Sequence, residues 1–433
     1  MSSLAWAAEP DWPAVEQHAL DLLQRYVRIA SVNPPADTRS AAALFESELK
    51  TAGLEPRLYA SGPEGQTNLV VRLAGRDRAK KPLLLLNHFD VVPADRAAWG
   101  GVDPFGGEIR DGPDGQWLWG RGTLDMKGLG VMHLTALVAM KAAGLVPPRD
   151  IVMLSTADEE TSGVRGIQWM IANHLAEIDP EYVLDEGGVA SRDLLSPGKL
   201  VYGIAAGEKQ VLWLKLRAQG PAGHGSQPIP DNANIILLAA IEKALALPVV
   251  AQPAFVGQME RALGTAASNK FTSAIRGNTI SLTSLTSGVG SPPKVNVIPS
   301  SAEATLDNRL LPGQNPEEFI SEMKARINDP RVIIERLNEP VDAGISPVAT
   351  PLFDALRAAV LAEHPGAIVT PVLLPYGTDS VHLRKRGVVA YGFNPMVLDA
   401  EIVATMHSDS ERIPVAEFRR GLHVFYDVLR SEY

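Results

Sequence analysis

The sequence predicts an α/β protein, a central sheet flanked by helices, with a second α+β unit inserted into it. Three observations lead there. Short runs that are apolar throughout, LLLL at 83–86 and IVML at 151–154, read as strands buried on both faces. From about residue 209 to about residue 340 the pattern changes to alternation, as in QVLWLKLRA at 210–218, the mark of a sheet with one open face. After that the first pattern returns. The chain therefore divides into a discontinuous domain, 1–208 with 341–433, and an insertion at 209–340.

Taken in order, residues 11–30 form an amphipathic helix with Leu20, Leu23, Val27 and Ile29 on its apolar side. The Asn33-Pro34-Pro35 run ends it, because proline drives the residue before it out of the helical region. A second helix covers 41–52 and closes at Gly53. Strands follow at 68–73 and 82–87, a Gly/Trp/Asp-rich loop at 99–122 with a short strand at 117–119, and a long apolar helix to about 143. A buried strand at 151–156, a helix to about 174 and a strand at 182–184 complete a β-α-β-α-β run. In the insertion, strands at 210–218, 278–284, 302–309 and 332–337 accompany helices at 234–245 and 317–327, and 253–276 reads as a loop that shapes the substrate pocket. A helix at 351–363, strands at 371–374 and 388–393 and a helix at 415–433 finish the chain.

Composition narrows the chemistry. A net charge of −10 argues against a nucleic-acid or anionic-membrane surface. No apolar run reaches the roughly 18–20 residues that span a bilayer. The absence of cysteine excludes disulfides, thiolate metal sites and cysteine nucleophiles, so any metal must sit on His and carboxylates. Ala5-Trp6-Ala7 before Ala8-Glu9-Pro10 resembles the end of a secretory signal, although no basic and apolar stretch precedes it. A trimmed signal there implies a periplasmic or secreted protein, and its absence a cytoplasmic one.

The polar residues at the strand ends carry the signal. His88 and Asp90 follow the leucine run, at the C-terminal end where open α/β sheets place their ligands. In such a pair the His can bind a metal while the Asp takes its other ring N–H. Asp125 sits where a turn enters a helix, a position that also suits an ordinary N-cap. Asp158-Glu159-Glu160 and Asp185-Glu186 follow the next two buried strands, and an acidic turn can simply be solvated. Four such clusters in one sheet, with few basic residues among them, point to bound cations. Two divalent ions sharing one carboxylate are a recurring hydrolytic device, and zinc accepts imidazole and carboxylate ligands. Glu159 and Glu160 cannot easily both bind one ion, which leaves one of them to handle the proton of a water.

HFDVVP, GRGTLDMKG, TADEETSG, LDEGG, GHGS, NVIPSSAEATLDNRLLPG and ATMHSDSERIP occur in this order. Together they resemble the dinuclear zinc aminoacylase and carboxypeptidase superfamily, relatives of glutamate carboxypeptidase, acetylornithine deacetylase, succinyl-diaminopimelate desuccinylase, aminoacylase and carnosinase. The resemblance implies a phosphorylase/hydrolase-like catalytic domain with a mixed sheet, and a lid and dimerisation domain at 209–340. It implies two zinc ions per subunit, for which cobalt or manganese can substitute. His88 and Glu186 would hold one, Glu160 and His407 the other, with Asp125 bridging. Asp90 would orient His88, and Glu159 would be general base and then acid. The resemblance also implies a cis peptide after Asp125, although many relatives have Asp where this chain has Met126. His224 would stabilise the oxyanion in a neighbouring subunit, and Asn296 and Arg309 would receive the substrate's carbonyl or carboxylate. Gly392 would lie near that carboxylate. Thr378 and Asp379 resemble a family loop without an assigned role. The implied activity is cleavage of an amide beside a free carboxylate, in a small peptide or an N-acyl amino acid, by a homodimer paired through the lid. An aminopeptidase or dipeptidase, and an inactive binding protein on the same scaffold, are the alternatives. His18, His133, His174, His364, His382 and His423 read as packing or surface residues.

Overall fold

The computed structural model describes residues 9–112, 114–161, 163–248 and 254–433. The signal-like Ala5-Trp6-Ala7 lies outside them. Among the described residues no helix is long and apolar enough to cross a membrane.

A nine-stranded mixed sheet organises the chain. Its strands lie in the order Arg57–Ala60, Thr67–Leu73, Ile151–Thr156, Leu83–His88, Tyr182–Asp185, Val389–Gly392, Val201–Glu208 and Ile368–Leu374. The ninth, Val189–Ser191, pairs with Val201–Glu208. Leu83–His88 is parallel to both neighbours and every residue in it is buried, as an apolar run in mid-sheet requires. In register, His88 pairs with Thr156 and Asp185 with Gly392. Neighbouring strands therefore deliver His88, the Glu159–Glu160 turn and Glu186 to one edge.

Helices Trp12–Val27, Arg39–Thr51, Gly128–Ala142 and Val415–Arg430 cover one face. Leu23, Phe45, Leu137, Phe418 and Phe425 pack there against Leu83, Leu85 and Met153. A three-stranded sheet of Glu108–Gly112, Gly115–Trp119 and Arg412–Pro414 lies beside the turn that carries Asp125. The histidines away from the strand ends have local partners. His133 is fully buried beside Asn87, His423 stacks on Trp12, His18 meets Glu48, and Tyr202 meets His364.

The four-stranded antiparallel sheet runs Thr279–Ser287, Ser301–Leu310, Gln210–Gln219, Val332–Arg336. Helices Ala233–Leu245 and Pro316–Ile327 cover one face, where Leu212, Leu214, Leu216 and Leu306 meet Leu237, Ile241 and Met323. The 209–340 stretch is not one packing unit, however. The stretch read as loop instead forms helices Ala254–Leu263 and Lys270–Arg276, which pack on the large sheet. Val256, Met259, Leu263 and Ile275 join Val372, Leu373 and Leu374 there. Strand Val201–Glu208, with Gly203 and Gly207 interrupting its apolar run, likewise escapes a reading by pattern.

Three consecutive buried side chains fasten the junction of the two sheets. Glu208 pairs with Arg384 at 2.5 Å and accepts from the Thr378 N–H. Gln210 donates to the carbonyls of Leu311 and Gln314. Lys209 donates to the carbonyls of Ala274 and Gly277 and to Thr279 Oγ1, at 2.8–2.9 Å. Burial, helped by the Arg309 charge, pulls its ammonium down from 10.5 to about 7. The folded chain thus releases this proton near pH 7, whereas the unfolded chain keeps it to about 10.5, so stability from this residue rises with pH between those values. Urea unfolding of wild type and Lys209→Met at several pH values is expected to show wild type gaining on the variant from pH 7 towards 10. A pH-independent difference would mean that Lys209 folds without losing its proton.

Candidate metal centre and active site

His88 ends its strand fully buried. Its Nδ1 lies 2.9 Å from the Asp90 backbone carbonyl, which accepts the Nδ1–H and turns Nε2 into the cleft. Nε2 then stands 3.1 Å from Asp125 Oδ1 and 3.7 Å from Glu186 Oε1. The Asp90 carboxylate lies 3.6 Å from Nδ1 and also accepts from Asn33 Nδ2 at 2.7 Å and from the N–H groups of Glu159 and Glu160 at 3.2 and 3.1 Å. Asp90 therefore meets His88 through its main chain and its side chain, and its side chain also fixes the acidic turn.

Asp125 lies in a tight turn, Thr123–Lys127, and its peptide bond to Met126 is cis. Its second oxygen, Oδ2, faces His407 Nε2 at 3.0 Å, and that nitrogen is 3.3 Å from Glu160 Oε2. The two carboxylate oxygens of Asp125 thus address two different imidazoles. His407 holds a left-handed backbone, φ 62°, which is uncommon outside glycine.

One buried ion pair supports both of these groups. Glu411 Oε1 accepts from the N–H groups of Leu124 and Asp125 at 2.9 and 3.2 Å. Arg121 meets Glu411 Oε2 at 2.6 Å and donates to the His407 carbonyl at 3.2 Å. The Trp99 ring lies 5.5 Å from the guanidinium.

Burial pushes the carboxyls of Glu159, Glu160 and Glu186 up, and neighbouring acids add to it. Hydrogen bonds that the His407 imidazole donates to the Asp125 and Glu160 carboxylates raise it to about 10. Glu160 Oε1 is buried with no hydrogen-bond partner among the described residues. His88, Glu159 and Glu186 form one group whose ligand atoms lie within 4.8 Å of one another, and His88, Asp125 and Glu160 form another. Crowded acids, an orphaned carboxylate oxygen and imidazole nitrogens without a thiol suit a divalent cation of zinc's type. The Glu159 side chain forms no hydrogen bond or ion pair with a described residue.

The remaining expected residues fall elsewhere. His224 and Asn296 come together on an exposed two-stranded ladder, where the Gly225 N–H donates to the Asn296 carbonyl at 2.7 Å and the Ser226 N–H to His224 Nδ1 at 3.1 Å. Arg309 lies on the open face of the small sheet, and its Nε and Nη2 bind the Asp307 carboxylate at 2.7 and 2.9 Å. Gly392 is buried, and a side chain there would come within 2.3 Å of the Glu186 carbonyl. Its lack of a Cβ lets the Glu186 turn sit down on the strand.

A protein-family comparison matches residues 84–431 to the model described as peptidase family M20/M25/M40. The chain belongs to this peptidase family. Among curated relatives, it is 28% identical over 395 residues to a protein named probable carboxypeptidase S-like 2 of Dictyostelium discoideum, covering 84% of this chain and 74% of that one. It is 25% identical over 421 residues to human aminoacylase-1, covering 96% of each. Among solved structures, the family metallo-carboxypeptidase Sso-CP2 of Sulfolobus solfataricus matches with a TM-score of 0.73 at 18% identity, over 96% of this chain and 98% of that one. Human carnosine dipeptidase 1 matches at 0.71 and 15% identity, over 96% and 97%. The M20 chain is a hydrolase, with mixed-sheet architecture and donor groups suited to metal.

In this M20 hydrolase, Arg121, Glu411 and Asn33 escaped the sequence reading, although Arg121 and Glu411 lie inside the quoted GRGTLDMKG and HSDSERIP strings. Neither spacing nor charge marks a buried pair whose partners are 290 positions apart. Removing one partner of such a pair leaves the other charge buried and alone. Glu411→Ala is expected to lose about 3–5 kcal/mol of stability by urea unfolding and about ten- to a hundredfold in affinity for an added divalent cation by competition with a chelator. Unchanged cation affinity in the folded variant would remove the pair from the support of the site.

Proposed function

We propose that the protein is a zinc-dependent amide hydrolase cleaving beside a free carboxylate, releasing a C-terminal amino acid from a small peptide or deacylating an N-acyl amino acid. The observation that carries this reading is Asp125 reaching two imidazoles with its two oxygens, while Glu159 stands beside them with its carboxylate unengaged. His88, Glu186, Glu160 and His407 would hold two zinc ions with Asp125 between them. Bound zinc supplies a polarised carbonyl and an acidified water. The Glu159 carboxylate would take a proton from the attacking water and return it to the leaving nitrogen. The relatives' names, aminoacylase and carboxypeptidase, fit both halves of the proposal.

Arg309 supports a carboxylate-bearing substrate. Asp307 engages Nε and Nη2 and so fixes the guanidinium plane, leaving Nη1 as the donor for a ligand. His224 and Asn296 sit on a solvent-facing ladder, where a second copy's site could receive them. The lid's edge strand Thr279–Ser287, with Leu282 and Leu285 exposed beside Ile235 and Leu238 of the neighbouring helix, favours pairing of two copies.

Hydrolysis of a panel of dipeptides and N-acyl amino acids with zinc present tests the reading. Glu159→Gln is expected to keep its zinc and lose about 10²–10⁴-fold in kcat; full turnover in that variant would end the mechanism. Arg309→Met is expected to raise KM for carboxylate substrates about ten- to a hundredfold and to leave substrates with a blocked carboxylate unaffected. An equal effect on both would take the carboxylate away from Arg309.

A further inference from the structure

We propose that Asn33 is a positioning residue for the reaction, its neutral amide bridging two buried acids to hold the turn that carries Glu159 and Glu160. The inference rests on the amide-hydrolase reading of the same site. Asn33 is buried, and its Nδ2 stands 2.7 Å from Asp90 Oδ2, 3.1 Å from Asp158 Oδ1 and 3.2 Å from Thr161 Oγ1. An ionised carboxylate only accepts, so the two acids fix which end of the amide faces them. Asp90 comes just after strand Leu83–His88, and Asp158 just after the neighbouring strand Ile151–Thr156. Among the described residues, Asn33 is the one side chain bonded to both. Each acid in turn grips the turn's backbone. Asp90 accepts from the Glu159 and Glu160 N–H groups, and Asp158 from the Arg165 N–H at 2.9 Å and the Thr161 hydroxyl at 2.5 Å. The acidic turn therefore hangs at both ends on carboxylates that Asn33 joins.

Asn33 is itself held against the strand end that presents His88. Its N–H donates to the Val91 carbonyl at 2.9 Å, the Val91 N–H donates to the Ser31 carbonyl at 3.0 Å, and Val32 bridges to Val91 in parallel. The Ser31 hydroxyl donates to the Phe89 carbonyl at 2.5 Å. Just upstream, the buried Lys127 ammonium donates to the Tyr26 and Ile29 carbonyls at 3.1 and 2.6 Å, which ties this segment to the Asp125 turn. Two carboxylates sharing one nitrogen repel each other, and a lysine or arginine between them would offset that too. A cation there would also lower the proton affinity of Glu159, on which a general base depends. A neutral amide holds both acids without that penalty. Asn308, a buried asparagine of the lid sheet, donates instead to the backbone carbonyls of Leu212 and Leu306. Asn33 directs its amide N–H groups to side chains of the site.

Asn33→Leu keeps the size and removes the donors, and Asn33→Ala leaves room for water to solvate the acids if the leucine variant does not fold. At saturating zinc, each folded variant is expected to lose about ten- to a hundredfold in kcat on the best N-acyl amino acid or dipeptide, with KM within about twofold. Because Glu160 shares the turn and Asp90 also meets His88, zinc affinity by competition with a chelator is expected to fall about ten- to a hundredfold as well. A lower thermal midpoint with unchanged kcat and unchanged zinc affinity in a folded variant overturns the inference, since Asn33 would then only hold the fold together. If wild type binds zinc but cleaves no amide, the hydrolase reading fails, while the zinc-affinity difference still decides whether Asn33 positions the turn.

Discussion

Repulsion between carboxylates is the constraint around which this protein is built. Asp125, Glu159, Glu160 and Glu186 meet at the edge of one sheet, largely out of water, where like charges cannot all stay ionised unaided. Two imidazoles, at His88 and His407, are the nearest counterweights. Everything close by is arranged to hold these groups in place against that force. Asp90 ties down the acidic turn, Glu411 and Arg121 tie down the Asp125 turn and the His407 carbonyl, and Ser380 restrains the base of the Glu186 turn through Asp185. A divalent cation discharges the same stress, which is why the acids can be concentrated there at all.

The parallel strands make this concentration geometrically cheap. Residues at or just past the ends of adjacent strands are brought close without any long-range design beyond register. Only Asp125 and His407 arrive by other routes, one on a tight turn before a helix and one on a left-handed residue between short elements. Those two need the buried Arg121–Glu411 pair, because no sheet ladder positions them.

Legibility in the sequence follows the same division. Apolar runs such as 83–86 and the acids directly after them expose both strand and site, since burial on both faces leaves a continuous signature. Alternation likewise reveals the small sheet, whose open face keeps Arg309 and Asp307 polar. Hidden were features set by contacts between distant residues. Helices Ala254–Leu263 and Lys270–Arg276 lie in the lid's span of sequence yet belong to the large sheet, which no local pattern betrays. The hold of the Asp90 side chain on the acidic turn was hidden too, because its partners there are backbone N–H groups some 70 residues along the chain. Gly392 is a further case: its value lies in the missing Cβ beneath Glu186.

The two imidazoles differ sharply in their access to water. The His88 side chain is 1% exposed, whereas that of His407 is 47% exposed. A chelator arriving from solvent would meet the His407 side long before it reached the other. If two ions are held as proposed, they would be stripped in two kinetic phases, so that the identity of the outer ion would track the surrounding medium while the inner one kept a memory of its loading.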